Sequence, residues 1–200
     1  MPSADPAASS FSRQEQRELL QLARTSIRTG INQGHALHAD SNSYPAKLQE
    51  QLACFVTLQK HGALRGCIGH LQAVQPLVKD VAENAYAAAF CDPRFPAVAE
   101  SEIGILVIHI SVLSPSQPMV FSSEQDLMTQ IRPGIDGLIL ESGYHRGTFL
   151  PSVWETLPDV SSFLRHLKLK AGLSADHWSD DIRVSRYTTD SFSDAPETTA

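Results

Sequence analysis

The segment FVTLQKHGALRGCIGHL, residues 55–71, predicts a β-hairpin and with it the way the strands pair. Residues 53–60 alternate as a strand, His61 and Gly62 supply a turn, and residues 64–71 return as the second strand. Because a short turn joins antiparallel strands, the segment predicts a sheet with antiparallel pairing.

Alternation along residues 64–71 sends side chains to two faces: Leu64, Gly66, Ile68 and His70 to one, and Arg65, Cys67, Gly69 and Leu71 to the other. Leu64 and Ile68 mark the first face as the buried one. A guanidinium near a thiol favours the reactive thiolate, and the flanking glycines, Gly66 and Gly69, leave space for a ligand. Cysteine is also among the most buried residue types, so Cys67 has a structural interpretation as well.

Composition excludes several classes of function. The 200 residues carry 16 Lys and Arg against 22 Asp and Glu, a formal charge of -6 that disfavours nucleic acid as the main partner. The three cysteines lack the paired spacing of a zinc site or a disulfide framework and are typical of free thiols. With no stretch approaching the roughly 18 apolar residues of a membrane span, we expect a cytoplasmic protein that does not enter the membrane.

A capping motif and the composition of the termini predict where the first helix and the folded domain begin and end. Ser12 and Glu15 form a capping box ahead of an amphipathic helix at residues 13–28, which we expect to end near Gly30. We predict one domain at residues 12–188, a flexible N-terminal arm at 1–11, and a disordered tail at 189–200, which is poor in large apolar residues.

A second helix begins at Pro76 and carries a wide apolar stripe. We expect three polar residues of this helix to lie outside the stripe: Lys79, Asp80 and Glu83.

His35, His38 and Asp40 lie in a long polar loop, residues 32–47. Imidazole and carboxylate groups can coordinate a metal, but no second pair of ligands has helical spacing, and we predict no metal site.

Asp92-Pro93-Arg94-Phe95-Pro96 places an arginine on a stiff support, since two prolines restrict the backbone on both sides. Such an arginine suits a carboxylate or phosphate ligand, with Asp92 beside it. The alternatives are that Arg94 caps the preceding helix or pairs with Asp92.

Gly147 to Glu155, GTFLPSVWE, predicts a strand that passes through proline into a capped helix. Glu155 has two interpretations: an acid or base in a pocket, or the third residue of a capping box that begins at Ser152.

Five segments in one order carry a resemblance to a known family: FVTLQKHGALRGCIGHL, ENAYAAAFCDPRFPAV, ISVLSPSQP, DGLILESGYHRGTFLPSVWETLP and FLRHLKLKAGL. Together they resemble the AMMECR-type domain family, also called AmmeMemoRadiSam system protein A, over residues 12–187. One departure is His109, where the family pattern has an acidic residue.

The resemblance implies an α+β fold in two lobes, with an antiparallel sheet covered by helices and a cleft lined by the RGCIG and DPRFP segments. It also implies two companion proteins, a Memo-type protein that resembles ring-cleaving dioxygenases and a radical S-adenosylmethionine enzyme. It supplies neither a reaction nor a cofactor.

Our leading hypothesis is an enzyme with a cysteine-centred cleft that acts on a small anionic metabolite. Cys67 serves as nucleophile or proton donor, Arg65 and Arg94 hold the anion, and Asp92 or Glu155 polarises a group or orients an arginine. The rival hypothesis is a binding or adaptor module for the companion proteins, with no chemistry of its own.

Overall fold

A computed structural model describes residues 9–195 of the chain. Within that range lie four α-helices: α1 (Arg13–Gln33), α2 (Leu77–Phe90), α3 (Glu124–Gln130) and α4 (Val160–Lys170). The same range contains eight strands: β1 (Cys54–Lys60), β2 (Ala63–Gly69), β3 (Leu106–Leu113), β4 (Gln117–Pro118), β5 (Gly137–Ser142), β6 (His145–Phe149), β7 (Arg183–Tyr187) and β8 (Thr189–Ser193).

The strands form two four-stranded antiparallel sheets, so the α+β class and the antiparallel pairing are confirmed. The first sheet has the order β2-β1-β3-β8 and the second the order β4-β7-β5-β6. The chain divides into two compact units. The first unit comprises residues 9–113 and 190–195 of the described chain, and the second unit comprises residues 114–189.

Each unit has its own hydrophobic core. In the first, α1 and α2 pack with the apolar face of the sheet, where Val56, Leu58 and Ile108 are fully buried. In the second, α4 packs on the sheet and Phe163 stacks on Trp154 with ring centroids 3.7 Å apart. Burial of these apolar faces is the main force that holds each unit together.

The predicted hairpin forms, with its turn at His61 and Gly62. Both turn residues have positive φ, 51° and 79°, as a two-residue turn between twisted strands requires. The register of the two strands then shifts: Gln59 lies opposite Leu64, but Leu58 lies opposite Gly66. Arg65 is therefore the extra residue of a β-bulge.

The bulge shifts by one residue the alternation of β2 side chains between the two faces of the sheet, so the predicted burial of Leu64 is wrong. Leu64 shares a face with Gln59 and is 43% exposed, whereas Gly66 and Ile68 lie on the face that packs on the core. Cys67 lies on the face opposite to Ile68, as predicted.

The capping box of Ser12 and Glu15 is confirmed, but α1 continues one turn beyond the expected end. Its C-cap is Gly34, which adopts the left-handed conformation. Gly30 lies inside the helix because the rings of Tyr86 and Phe90 pack directly against it, and a Cβ there would be 2.3 Å from the Phe90 ring.

Both predicted termini need correction. The tail prediction is wrong for residues 189–193, which form β8 at the edge of the first sheet. Asp194 explains why this polar segment is ordered: its carboxylate accepts the Ile108 N–H at 2.7 Å and pairs with Arg24. The arm prediction is wrong for residues 9–11, since Phe11 is buried in the first core. Residues 1–8 and 196–200 of these predictions lie outside the described residues.

The second predicted capping box, Ser152 with Glu155, does not form. A 3₁₀ helix at Pro151–Glu155 begins two residues earlier, with Leu150 as its N-cap and Pro151 in its first turn. Asp159 caps α4, since its carboxylate accepts the Ser162 N–H at 2.7 Å. Within residues 9–195, none of the helices combines the length and apolar character needed to cross a bilayer.

Candidate functional site

Cys67 lies half-buried on β2, on the face of the first sheet that points away from α2. Its direct neighbour on β1 is Thr57, whose hydroxyl donates to the Cys67 Sγ at 3.2 Å. His109 on β3 is the next residue in the same row. Together with Gln59, which contacts His109 at 3.1 Å, these side chains define the Cys67 face. Partial burial lowers the pKa of His109, so the neutral imidazole is favoured.

Asp92 ties the DPRFP segment to β2 at Cys67. The segment follows α2, and one carboxylate oxygen of Asp92 accepts the Cys67 N–H at 2.9 Å. Because β2 is an edge strand, this contact satisfies a backbone group that no neighbouring strand can pair. Asp92 is nearly fully buried. The hydrogen bonds from Arg94 hold the pKa of Asp92 well below its usual range, despite the opposing effect of burial.

Arg94 is paired with Asp92 and still reaches solvent. Its Nε and Nη2 donate to the two carboxylate oxygens at 2.9 and 2.7 Å, and Nη2 also lies 3.3 Å from the Cys67 carbonyl oxygen. The side chain is 53% exposed, and Nη1 has no hydrogen-bond partner among residues 9–195. The structure thus shows the predicted pairing with Asp92 and leaves part of the guanidinium free for an anion.

Arg65, by contrast, is enclosed. Its guanidinium donates to both carboxylate oxygens of Glu102, at 3.1 and 3.0 Å, and to the carbonyl oxygens of Pro96 and Ala97. The bulge directs this side chain into the loop after the DPRFP segment, and only 9% of the residue is exposed. Arg65 therefore cross-links β2 to that loop, and its donors are not free for the ligand role that the sequence suggested.

The two glycines of the motif have packing roles. A Cβ on Gly66 would lie 2.0 Å from the Ala88 carbonyl oxygen, because α2 crosses β2 at that point. A Cβ on Gly69 would lie 2.4 Å from the Phe55 ring. Close packing explains both glycines without a ligand.

The structure brings Cys67, Asp92 and Arg94 together in the first unit, whereas Glu155 belongs to the second unit. Glu155 is an exposed residue at the end of a 3₁₀ helix in the second unit.

The loop histidines do not converge on a metal site. His35 Nδ1 contacts the Ala36 carbonyl oxygen, and the Asp40 carboxylate accepts hydrogen bonds from Asn42 and Ser43. Within residues 9–195, no three His, Cys, Asp or Glu side chains are grouped so that they could hold a metal ion.

Two functional candidates were missed from the sequence. Thr57 was read only as part of a strand, and Asp80 was expected on the solvent side of α2. Asp80 is instead 1% exposed, because its carboxylate accepts the backbone N–H of Cys54 at 2.9 Å. The signal was Asn84, a polar residue inside the apolar stripe and one turn after Asp80, which donates to Asp80 at 3.0 Å.

Sequence comparisons place these residues in a family context. A sequence model of the AMMECR1 family matches residues 20–192. A protein from Methanothermobacter thermautotrophicus is 39% identical over 184 residues, which cover 91% of this chain and 95% of the relative. A Thermotoga maritima protein is 36% identical over 168 residues, covering 83% and 91% of the two chains.

A solved structure supports the same relationship. The crystal structure of the uncharacterised protein PH0010 from Pyrococcus horikoshii matches with a TM-score of 0.81 and 35% sequence identity. The match covers 88% of this chain and 89% of that one, so both units of the fold have counterparts in a homologous protein.

Proposed function

The chain belongs to the AMMECR1 family, and from this premise we propose that it is an enzyme whose Cys67 acts on a small anionic metabolite held by Arg94. Cys67 is the nucleophile or proton donor, and Asp92 positions Arg94. The proposal rests on one observation: the half-buried Cys67 accepts a hydroxyl hydrogen bond on its sulfur at 3.2 Å, and its carbonyl oxygen lies 3.3 Å from a guanidinium that reaches solvent.

Two groups contact Cys67. The Thr57 hydroxyl donates a hydrogen bond to its sulfur at 3.2 Å, and the Arg94 Nη2 lies 3.3 Å from its carbonyl oxygen. Arg94 keeps its charge, since the hydrogen bonds from its guanidinium to Asp92 raise its pKa. Cysteine sulfur is a good nucleophile, so Cys67 is the residue suited to attack on an electrophilic ligand that Arg94 holds.

Arg94 supplies the selectivity for an anion. Asp92 engages Nε and Nη2 and so fixes the plane of the guanidinium, while Nη1 is directed to neither carboxylate oxygen. A ligand carboxylate that binds there needs no rearrangement of the arginine.

Alkylation with a charged and a neutral reagent tests this proposal. In both reactions the Cys67 sulfur displaces iodide and forms a thioether, but iodoacetate carries a carboxylate and iodoacetamide does not. We expect the ratio of the iodoacetate rate to the iodoacetamide rate to be about tenfold higher at Cys67 than at Cys91, as one charge-assisted contact would produce. Cys91 is exposed and serves as the control within the same molecule.

Three variants separate the contributions of Arg94 and Thr57 to the reactivity of Cys67. Arg94→Gln should lower the ratio at Cys67 to that of Cys91, and Arg94→Lys should retain part of the preference, because it keeps the charge and loses the planar fork. Thr57→Val should slow both reagents at Cys67 alike. Melting temperatures of all variants show whether the loss of the Asp92 partner disturbs the fold. Equal ratios at Cys67 and Cys91 in the unaltered protein would contradict the proposal.

A second candidate function is a binding module without chemistry, which would serve a Memo-type protein and a radical S-adenosylmethionine enzyme as partners. The enclosed Arg65 and the packing of Gly66 and Gly69 favour it, since these residues of the motif already have structural roles. A Cys67 that shows no preference for iodoacetate and reacts more slowly than Cys91 with both reagents would support this second function. The three free thiols support a cytoplasmic location for either one.

A further inference from the structure

Asp80 and His70 form a second polar cluster in the first unit, separate from the Cys67 face. Asp80 lies on α2, which packs on the opposite side of the sheet from Cys67. Its buried carboxylate collects several donors. One oxygen accepts the Cys54 N–H at 2.9 Å and the Asn84 amide at 3.0 Å, and the other accepts the Gln75 amide at 3.3 Å.

His70 completes the cluster from the end of β2. Its Nδ1 lies 2.6 Å from the second oxygen of Asp80, and its side chain is 46% exposed. A carboxylate accepts and does not donate, so the neutral ring must carry its proton on Nδ1. The lone pair is then on Nε2, the ring nitrogen that Asp80 does not contact.

We propose that His70 and Asp80 form a general acid–base dyad for a hydroxyl-bearing ligand or water. The O–H bond of the ligand breaks, its proton passes to the Nε2 of His70, and the electron pair stays on the oxygen. Asp80 stabilises the imidazolium that results, and the reverse transfer returns the proton from Nε2 to the oxygen, where the O–H bond forms again.

The partners of Asp80 argue against a purely structural histidine. Cys54, Asn84 and Gln75 already give the buried carboxylate three hydrogen bonds, so burial of Asp80 does not depend on His70. A ring recruited only to cover the carboxylate would also be expected to be buried, whereas nearly half of this side chain is exposed.

Two measurements on the unaltered protein test the dyad. Nitrogen-15 NMR of the ring should show the tautomer protonated at Nδ1. Diethyl pyrocarbonate, which an imidazole lone pair attacks with loss of carbon dioxide and ethanol, should modify His70 at Nε2. We expect His70 to react at least as fast as the exposed His35 when both rings are neutral, because of these two rings only His70 contacts a carboxylate through Nδ1.

Asp80→Asn is the decisive variant. The Cys54 N–H and the Asn84 amide both require an acceptor, so the new side chain should direct its oxygen to them and its NH₂ to His70. The proton of His70 should then move to Nε2, and modification there should slow by an order of magnitude or more. Modification of His35 should not change.

The proposal is overturned if His70 of the unaltered protein carries its proton on Nε2, or if Asp80→Asn leaves its modification rate unchanged. His70→Gln keeps an amide donor for Asp80 and should preserve the melting temperature, and a large loss of stability in that variant would indicate a structural role instead. If Asp80→Asn does not fold, two results on the unaltered protein still test the dyad: the tautomer of His70 and the ring nitrogen that diethyl pyrocarbonate modifies. None of these results depends on Cys67.

Discussion

Two arginines in neighbouring motifs show how environment decides the role of a residue. Arg65 and Arg94 both contact a carboxylate through two nitrogens. Arg65 is enclosed by the loop that it fixes, whereas the exposed Arg94 has one guanidinium nitrogen, Nη1, without a hydrogen-bond partner among residues 9–195. Both were predicted to hold a ligand anion. The contacts of Arg65 occupy its guanidinium, and the role of Arg94 stays a prediction.

The Arg65–Glu102 pair should make the stability of the protein depend on acid pH. Hydrogen bonds from Arg65, supported by the Ala99 N–H and by Lys60, lower the pKa of Glu102 to about 2. A lowered pKa stabilises the folded state above the usual titration range of a glutamate, and this contribution is lost as the pH falls towards 2. We expect the unaltered protein to lose at most about 3 kcal/mol of unfolding free energy from this group between about pH 6 and pH 2.

Denaturant unfolding of the Glu102→Gln variant isolates this contribution. The variant should be the less stable protein near neutral pH, and the difference should shrink as the pH falls. Asp92 also has a lowered pKa, but it is present in both proteins and cancels in the comparison. A difference in unfolding free energy that stays constant with pH would show that the Glu102 carboxylate is not the group that titrates.

At the level of elements, the hairpin shows how much of the secondary structure and strand pairing could be predicted from the sequence. Its strands, turn and antiparallel pairing were all predicted from alternation and from the His61-Gly62 turn. The pattern also contained a conflict: a regular two-residue hairpin places Leu64 opposite Gln59, so Leu64 could not share a face with Leu58. The bulge at Arg65 resolves that conflict and brings Thr57 opposite Cys67. A regular register would have placed Val56 there.

Two other sequence errors share one origin, since each concerns a residue whose partner is distant in the chain. Asp80 is buried because Cys54 offers it a backbone N–H, 26 residues away. The segment around Asp194 is ordered because Arg24 and Ile108 bind it across the first unit. Composition and periodicity describe neighbours in sequence, so they could place α1 and the hairpin strands β1 and β2 but not these contacts.

The two serines that were predicted to cap helices should differ sharply on substitution. Ser12 accepts the Glu15 N–H at the start of α1, so Ser12→Ala should lower the unfolding free energy by about 1 kcal/mol. Ser152 is exposed and caps nothing, so Ser152→Ala should change it by less than about 0.5 kcal/mol. Thermal and denaturant unfolding of the pair provide the measurement. A cost for Ser152→Ala equal to that for Ser12→Ala would mean that the helix at Pro151 begins two residues later than described, with Ser152 as its N-cap.

At the level of the whole molecule, the second unit is inserted into the first. The chain leaves the first unit after Leu113 and returns to it with β8, which pairs with β3 at the edge of the first sheet. The buried residues of the two cores come from separate stretches of the chain, with those of the first core at residues 11–112 and those of the second at residues 127–184. Each unit therefore has the separate core expected of a folding unit.

The two ends of the insertion are adjacent. The Ser114 N–H donates to the Thr188 carbonyl oxygen at 2.9 Å, and the Thr188 N–H donates to the Ser114 hydroxyl at 3.0 Å. A chain in which two glycines replace residues 115–187 can therefore connect β3 to β8 without stretching either strand. We expect it to fold, with a cooperative thermal transition and dispersed amide signals in NMR, because every residue of the first core remains.

The matched control for this prediction is a chain that ends at Leu113. It keeps nearly the whole of the first core but lacks β8, so Ile108 and Arg24 lose their contacts with Asp194 and β3 becomes an unprotected edge. It should therefore be less stable than the glycine-linked chain and aggregate more readily. If the two chains melt at the same temperature, β8 contributes nothing to the first unit. If the glycine-linked chain shows no cooperative transition, the core at residues 11–112 does not suffice, and the first unit needs the second unit in order to fold.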